Sequence, residues 1–148
     1  MAAARTTSPR RVLVLEMNRA LPPSTIRSPR EPSSSQLDTV AKALAKHGVQ
    51  VLRKRSQANQ AQAIVVLGGD GTILSAAEIA REYDIPLLGI NTGHVGFLAQ
   101  AEPAEMLDAI EALAEGDYTV EPRMTLAVSV RQPNGDTSHG WRIWPKFL

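Results

Sequence analysis

The sequence contains no cysteine, and this absence excludes several kinds of site. Disulfide bonds, thiolate zinc centres and cysteine nucleophiles all need the missing thiol. Aromatic residues make up only 4% of the 148 residues, so aromatic platforms for stacking nucleic-acid bases are not expected. The longest apolar run spans residues 63–69, far short of the roughly 20 residues of a membrane-spanning helix. This composition fits a cytoplasmic chain with no membrane partner.

Charge is unevenly distributed along the chain. Residues 1–60 contain 11 Lys and Arg against 3 Asp and Glu, whereas residues 61–148 contain 5 against 12. Such a basic half can attract nucleic acid. Its arginines are concentrated around a stretch rich in Pro and Ser at residues 19–35, with no aromatic residue among them. We therefore interpret this half as a solvated loop and helix surface, and expect no nucleic-acid partner.

Short apolar runs alternate with helical patterns between residues 12 and 116. Four runs have the composition of buried strands: 12–15, 49–52, 64–67 and 86–90. Three stretches have apolar residues at helical spacing: 35–47, 73–82 and 103–116. Strands that alternate with helices predict βαβ units around a parallel sheet. We therefore predict an α/β domain over residues 10–118, preceded by a mobile basic terminus at residues 1–9.

The pattern changes in the last 30 residues of the chain. Residues 124–130 alternate between apolar and polar or small side chains, which predicts a half-buried strand. Asn134-Gly135 predicts a hairpin turn, and residues 141–144 an antiparallel return strand. A lone two-stranded hairpin is marginal in water. We therefore assign residues 119–148 to the start of an all-β domain that is incomplete within this sequence.

A glycine-rich segment follows the third predicted strand. It reads Gly68-Gly69-Asp70-Gly71-Thr72 and precedes a predicted helix, at the place where open α/β sheets bind ligands. Glycines let backbone N–H groups approach a phosphate, and a helix N-terminus adds the positive end of its dipole. The carboxylate of Asp70 would repel that phosphate. It suits holding Mg²⁺ or accepting a proton from an attacking hydroxyl, and the structural alternative is a cap for a helix that begins at Ile73.

The two commonest phosphate-binding signatures are missing from the sequence. No Gly-x-x-x-x-Gly-Lys-Ser/Thr segment occurs, and Leu74 stands where a dinucleotide fingerprint needs its third glycine. The first glycine-rich segment therefore predicts phosphoryl transfer by a kinase without a P-loop. It leaves the acceptor open.

A second glycine-rich segment, residues 91–98, leaves the fourth predicted strand. Parallel strands end at one edge of a sheet, so this segment is expected beside the first one. Asn91 offers an amide for hydrogen bonds, and Phe97 offers a flat face for a base or nicotinamide ring unless it fills the core beneath the loop. We expect no catalytic role for His94, because no second histidine or carboxylate lies at a suitable spacing from it. We expect His47 and His139 to lie on the surface.

These segments resemble the NAD kinase family. The likeness covers about residues 61–141 and rests on Gly68-Gly-Asp-Gly-Thr72, on residues 86–98 and on the Glu-Pro-Arg-Met-Thr-Leu segment at 121–126. It implies phosphorylation of the adenosine-ribose 2′-hydroxyl of NAD by ATP or polyphosphate, giving NADP, with a divalent metal such as Mg²⁺ and a homo-oligomeric enzyme.

The same resemblance implies roles for individual residues. Asp70 would be the proton acceptor, and Leu74 and Phe97 would be apolar contacts to the dinucleotide. The binding site would comprise seven residues of the two segments and the helix between them: Gly68, Gly69, Asp70, Gly71, Leu74, Asn91 and Phe97. No residue is assigned to the metal.

The resemblance stops after Trp141. The family continues with Ala-Leu-Asn-Glu, whose last two residues hold the NAD ribose, but this sequence continues with Arg-Ile-Trp-Pro-Lys-Phe-Leu at 142–148. We therefore expect a frameshifted or truncated product with little or no kinase activity. Two alternatives stay open: a non-catalytic nucleotide-binding fragment, and a lipid or small-metabolite kinase that shares the first segment.

Overall fold

The computed structural model describes residues 7–16, 34–92 and 97–143. Its six strands are β1 Arg11–Glu16, β2 Gln50–Leu52, β3 Ala63–Gly68, β4 Leu87–Asn91, β5 Thr125–Arg131 and β6 Thr137–Ile143. Its three α-helices are α1 Ser34–Lys46, α2 Asp70–Tyr83 and α3 Met106–Glu115, and two 3₁₀ helices lie at Arg55–Gln60 and Pro103–Glu105. The predicted α/β fold is confirmed. Of the predicted loop at 19–35, all but the first residues of α1 lie outside the described residues, as does His94.

Strands β1 to β4 form one parallel sheet in the order β2-β1-β3-β4. β1 pairs with both β2 and β3, and β3 pairs with β4. The strand order therefore reverses between β1 and β3, because β2 lies outside β1 and β4 lies outside β3. At such a switch point the connections leave the sheet in opposite directions, and a crevice opens at the carboxyl ends of the strands.

Apolar side chains cover both faces of this sheet. One cluster joins alternate residues of β1 and β3 to helices α1 and α3: Val12, Val14, Val65, Leu67, Val40, Leu44, Ile110 and Leu113. The other joins the remaining residues of these strands to α2: Leu13, Leu15, Ile64, Val66, Ile73, Ala76 and Ile79. Strands that are buried on both faces read as continuous apolar runs, which is why the sequence identifies them.

Two leucines that the helical spacing places on buried stripes lie on the surface instead. Leu74 is 39% exposed and Leu107 is 50% exposed. Helix α2 buries Ile73, Ala76 and Ile79, and Leu74 lies outside that stripe, since it follows Ile73, at the edge of the stripe, by about a further 100° around the helix. None of the helices that the structure describes is long and apolar enough to cross a lipid bilayer.

Strands β5 and β6 form a separate antiparallel sheet that runs from the pair Thr125–Ile143 to the pair Arg131–Thr137. The predicted hairpin is confirmed, and Gly135 supplies the positive φ, 90°, that its connection at residues 132–136 requires. The prediction of a half-buried strand is wrong. The apolar residues of β5, namely Leu126, Val128 and Val130, are 38–53% exposed, because within residues 7–16, 34–92 and 97–143 no second layer covers them.

Candidate functional site

The two glycine-rich segments meet at the carboxyl edge of the parallel sheet. Gly68 ends β3, Asn91 ends β4, and the two residues lie opposite each other in the strand register. The backbone N–H of Thr92 donates to the carbonyl oxygen of Gly68 at 3.4 Å. The structure therefore brings together the two segments that the sequence predicts as neighbours.

The glycines of the first segment differ in what surrounds them. A Cβ on Gly68 would lie 2.7 Å from the Cβ of Thr72, which is closer than real Cβ atoms approach, so the fold itself requires glycine there. A Cβ on Gly69 or Gly71 would meet no described atom within 4 Å. Gly69 also has an extended backbone, with φ −92° and ψ −176°, that any residue adopts. Steric surroundings in the described fold therefore do not require glycine at positions 69 and 71.

Helix α2 begins at Asp70, three residues before the predicted start at Ile73. Glycine disfavours helix, so the sequence pattern places the start too late. The interpretation of Asp70 as the cap of this helix is wrong, because Gly69 is the N-cap and accepts the backbone N–H groups of Thr72 and Ile73 at 3.0 Å. Asp70 lies in the first turn, and its side chain is directed elsewhere.

The Asp70 carboxylate binds the backbone of the second segment. Its Oδ1 accepts the N–H of Phe97 at 3.0 Å and that of Leu98 at 3.1 Å, and its Oδ2 is 3.2 Å from the nitrogen of Phe97. Hydrogen bonds to an ionised acceptor are stronger than those between neutral groups. Asp70 therefore links the start of α2 to the loop that follows β4.

Phe97 presents its ring to solvent. It is 73% exposed, so the alternative that it fills the core is wrong. An exposed aromatic ring is an apolar face on which a planar group can stack. Leu74 lies one helical turn after Asp70 on the same face of α2, and it adds a second exposed apolar side chain near this edge.

Asn91 lies behind this surface. It is 2% exposed, and its Nδ2 donates to Glu102 Oε2 at 3.2 Å. Its backbone N–H donates to the carbonyl oxygen of Ala101 at 2.9 Å. The structure therefore places the Asn91 side chain within the protein, next to Glu102, rather than on the open edge with Phe97.

Two further residues at this edge belong to neither glycine-rich motif, and no motif in the sequence identifies them. Gln100 hydrogen bonds to the backbone of both Gly89 and Leu98. Glu16 ends β1 opposite Leu67, and partial burial raises the pKa of its carboxyl above the ordinary value of 4.5. The only sign of Glu16 in the sequence is its place directly after the apolar run 12–15, where an acidic residue ends the strand.

The described residues do not build a metal centre of their own. In the parts of the chain that the structure describes, no group of three His, Cys, Asp or Glu side chains is placed to hold a metal ion. The Asp70 carboxylate is occupied by two backbone N–H groups.

Comparison with known proteins identifies similar chains. Residues 17–118 match the family described as ATP-NAD kinase N-terminal domain. The NAD kinase of Corynebacterium efficiens is 47% identical over 94 residues, which are 63% of this chain and 30% of that protein. The NAD kinase of Thermobifida fusca is 58% identical over 67 residues, which are 45% of this chain and 21% of that protein. The matches thus span less than a third of the length of these curated relatives.

Two solved structures share the fold. A crystal structure of an NAD kinase from Archaeoglobus fulgidus in complex with ATP has a TM-score of 0.57 and 23% identity, and covers 84% of this chain and 44% of that one. A crystal structure of yeast NADH kinase complexed with NADH has a TM-score of 0.57 and 15% identity, and covers 88% and 46%. At these identities the likeness is one of fold alone.

Proposed function

The chain belongs to the ATP-NAD kinase N-terminal domain family, and from this premise we propose that it forms the nucleotide-binding part of an NAD kinase site. The proposed reaction phosphorylates the adenosine-ribose 2′-hydroxyl of NAD and gives NADP. One observation carries this proposal. The Asp70 carboxylate, at the N-terminus of α2, is hydrogen-bonded to the backbone of the exposed Phe97, beside glycines that the fold does not require.

Positions 69 and 71 favour a phosphate ligand. With no side chains at these positions, a phosphate can approach the backbone at the start of α2, a helix of 14 residues. The first N–H groups of a helix have no partner within it, and the helix dipole adds partial positive charge at the same place. The proposed nucleotide site comprises the glycines at 68, 69 and 71 together with Asp70.

The proposed role of Asp70 is to accept a proton. The 2′-hydroxyl oxygen attacks the γ-phosphorus of ATP, its proton passes to the Asp70 carboxylate, and the bond from the γ-phosphorus to the bridging oxygen of ADP breaks. Each carboxylate oxygen can accept about two hydrogen bonds. The bonds from Phe97 and Leu98 therefore leave Oδ2 able to take this proton.

Leu74 and Phe97 supply the proposed apolar contacts to the dinucleotide. Both are exposed at the edge of the sheet, and the ring of Phe97 can stack on a planar base. Asn91 has an indirect part in this proposal, since its amide is buried against Glu102. Its contribution is to fix the end of β4, from which the loop bearing Phe97 departs.

The remaining parts of the proposal concern the metal ion, the cellular compartment, the oligomeric state and the domain organisation. In this proposal a divalent ion such as Mg²⁺ accompanies the phosphates of ATP, as Mg²⁺ does in many sites that bind nucleotide phosphates. We place the reaction in the cytoplasm and propose that the full-length enzyme is homo-oligomeric, with polyphosphate as the alternative phosphoryl donor. We also propose that residues 10–118 form the α/β domain and residues 119–148 begin a second one.

Calorimetric titration of the purified chain with NAD tests the proposal. We expect saturable binding that Phe97→Ala weakens about tenfold or more, in the range of base–aromatic stacking. Tyr83→Ala is the matched control, because Tyr83 is also an exposed aromatic residue but lies at the other end of α2. A folded chain that binds no NAD, or an equal loss in both variants, would overturn the proposal.

A further inference from the structure

One side chain fastens the loop that bears Phe97 to strand β4. Gln100 Oε1 accepts the backbone N–H of Gly89 at 2.6 Å, and Gln100 Nε2 donates to the carbonyl oxygen of Leu98 at 2.8 Å. The backbone N–H groups of Gln100 and Ala101 donate to the carbonyl oxygen of Gly89 at 2.9 and 3.3 Å. Residues 100 and 101 are therefore held against the middle of β4.

Gly89 makes room for this contact. A Cβ at position 89 would lie 3.2 Å from Gln100 Oε1 and 3.0 Å from the Cδ1 of Ile73. Both distances are tighter than about nine in ten real Cβ contacts, so with a side chain there the amide of Gln100 or the side chain of Ile73 would have to shift by a few tenths of an ångström. The absence of a side chain on Gly89 allows the amide group to reach the strand backbone.

Leu98 is held from both sides as a result. Gln100 binds its carbonyl oxygen, and Asp70 binds its N–H group at 3.1 Å. Asp70 also binds the preceding N–H group, that of Phe97, at 3.0 Å. A continuous series of hydrogen bonds thus runs from the backbone of β4, through Gln100 and Leu98, to the Asp70 carboxylate.

We propose that Gln100 is a positioning residue. By holding the Leu98 carbonyl oxygen against β4, it directs the N–H groups of Phe97 and Leu98 toward Asp70, and so sets the direction of that carboxylate and the place of the Phe97 ring. A primary amide suits this task because it carries an acceptor and a donor on one planar group. The functional part of this inference rests on the proposed function, in which Asp70 accepts a proton and Phe97 contacts the dinucleotide.

Two substitutions separate the two bonds of the amide. In Gln100→Met the side chain is about as long as that of glutamine but makes neither hydrogen bond. In Gln100→Glu one carboxylate oxygen can still accept the N–H of Gly89, but the other oxygen faces the carbonyl oxygen of Leu98, to which it cannot donate. Gln57→Met is the matched control. Gln57 also accepts a backbone N–H, from Lys54 at 3.1 Å, but it lies in the 3₁₀ helix Arg55–Gln60 outside the candidate site.

The first measurement needs no ligand. By NMR on the full chain, we expect amide exchange at Phe97 and Leu98 to be about tenfold faster or more in both Gln100 variants, while the buried amide of Val65 in β3 keeps its protection. The ¹³C signal of the Asp70 carboxyl should move in the same two variants. In Gln57→Met the exchange rates at these two amides and the Asp70 signal should match those of the parent chain.

The second measurement is the affinity for NAD, which we expect both Gln100 variants to lower about tenfold relative to Gln57→Met. Unchanged exchange and an unmoved Asp70 signal in Gln100→Met would overturn the inference. Loss of protection at Val65 in both variants would also overturn it, because Gln100 would then stabilise the whole fold. Unchanged NAD affinity would overturn its functional part. If the parent chain binds no NAD, the proposed function fails, and the ligand-free measurements still decide the role of Gln100.

Discussion

The carboxylate of Asp70 accepts the backbone N–H of Phe97 at 3.0 Å, across 27 positions of the sequence. This bond joins the first turn of α2 to the loop after β4, on the edge where the strand order reverses. The residue with the proposed proton-accepting role is thereby also a structural link between the two glycine-rich segments. Substitutions of Asp70 consequently combine a chemical effect with a displacement of Phe97, and variants of its neighbours are needed to separate the two.

Gly68 and Gly69 should respond differently to the same added methyl group. Gly68→Ala places a Cβ 2.7 Å from Thr72 Cβ, and we expect it to lower the free energy of unfolding by about 1–3 kcal/mol. Gly69→Ala meets no described atom within 4 Å, so we expect less than about 1 kcal/mol. Urea unfolding of both variants measures this difference. Equal destabilisation of the two would contradict the assigned surroundings.

Gly69→Ala should weaken nucleotide binding even though it leaves the fold intact. Gly69→Ala keeps the fold but adds a side chain where the proposed phosphate approaches the backbone, so we expect its affinity for ATP to fall about tenfold. Calorimetry on the folded variant gives this affinity. An unchanged affinity would show that position 69 lies away from the phosphate and would weaken the proposed site.

Glu16 should give the stability a dependence on pH. Burial raises the pKa of this carboxyl above 4.5 in the folded chain, so the folded state favours the protonated form. The contribution of Glu16 is therefore most favourable below pH 4.5 and is lost as the pH rises through the folded-state pKa. We expect Glu16→Gln to raise the free energy of unfolding at pH 7.5 and to have a smaller effect near pH 4.

Denaturant unfolding at the two pH values measures the effect of Glu16→Gln. The control is Glu111→Gln, which replaces an exposed carboxylate on α3 and should change stability little at either pH. If Glu16→Gln is less stable than the parent chain at pH 7.5, the carboxylate makes a favourable contact in the folded state, and the sign derived from burial is wrong.

Two leucines of helix α3 test the packing of that helix on the sheet. Leu113 is 5% exposed and belongs to the cluster with α1, whereas Leu107 is 50% exposed. We expect Leu113→Ala to cost about 2–5 kcal/mol, the range for leucine truncation in a core. Leu107→Ala should cost less than about 1 kcal/mol. Thermal or urea unfolding distinguishes them, and similar losses would place Leu107 in a contact that its exposure does not reveal.

Turnover by the 148 residues alone should be far below the range of about 1–100 s⁻¹ for ordinary kinases. The sequence contains no Ala-Leu-Asn-Glu segment, whose last two residues the family resemblance assigns to the NAD ribose. Positioning groups supply much of the rate in phosphoryl transfer, so we expect a site that lacks these two residues to be slow. NADP formation from NAD and ATP measures this, with a full-length relative as positive control. Ordinary turnover by the chain would contradict this expectation.

The sequence predicts those features that depend on neighbours in the chain. The strands at β1 and β3 are identified because burial on both faces leaves continuous apolar runs, and Gly116 ends α3 with positive φ, 78°, where the pattern predicts it. The sequence pattern places the start of α2 three residues too late, because the glycines at 69 and 71 disfavour helix although the helix begins at Asp70. Contacts between distant residues, such as that of Asp70 with Leu98, have no local signal.

The sequence also fails to predict the solvent exposure of some apolar side chains. The alternation in β5 indicates an apolar face but cannot indicate what lies against it, and its apolar residues are exposed in the described structure. For Phe97 the sequence allowed both a core and a surface position, and only the fold decides between them. Gln100 was missed because nothing marks one glutamine among several until its two backbone partners are known. The roles proposed for the site residues remain predictions.

The fold constrains Gly68 more than it constrains Gly69 and Gly71, and this difference decides which substitutions the sequence can accept. Selection for folding alone preserves position 68, where a methyl group collides with Thr72, but it accepts alanine at 69. At 71, inside α2, alanine is even the better helix former. A library of random variants sorted only for the folded state should therefore accept other residues at 69 and replace Gly71 by better helix formers. Persistence of both glycines in a library sorted for nucleotide capture would reveal a constraint that comes from the ligand rather than from the fold.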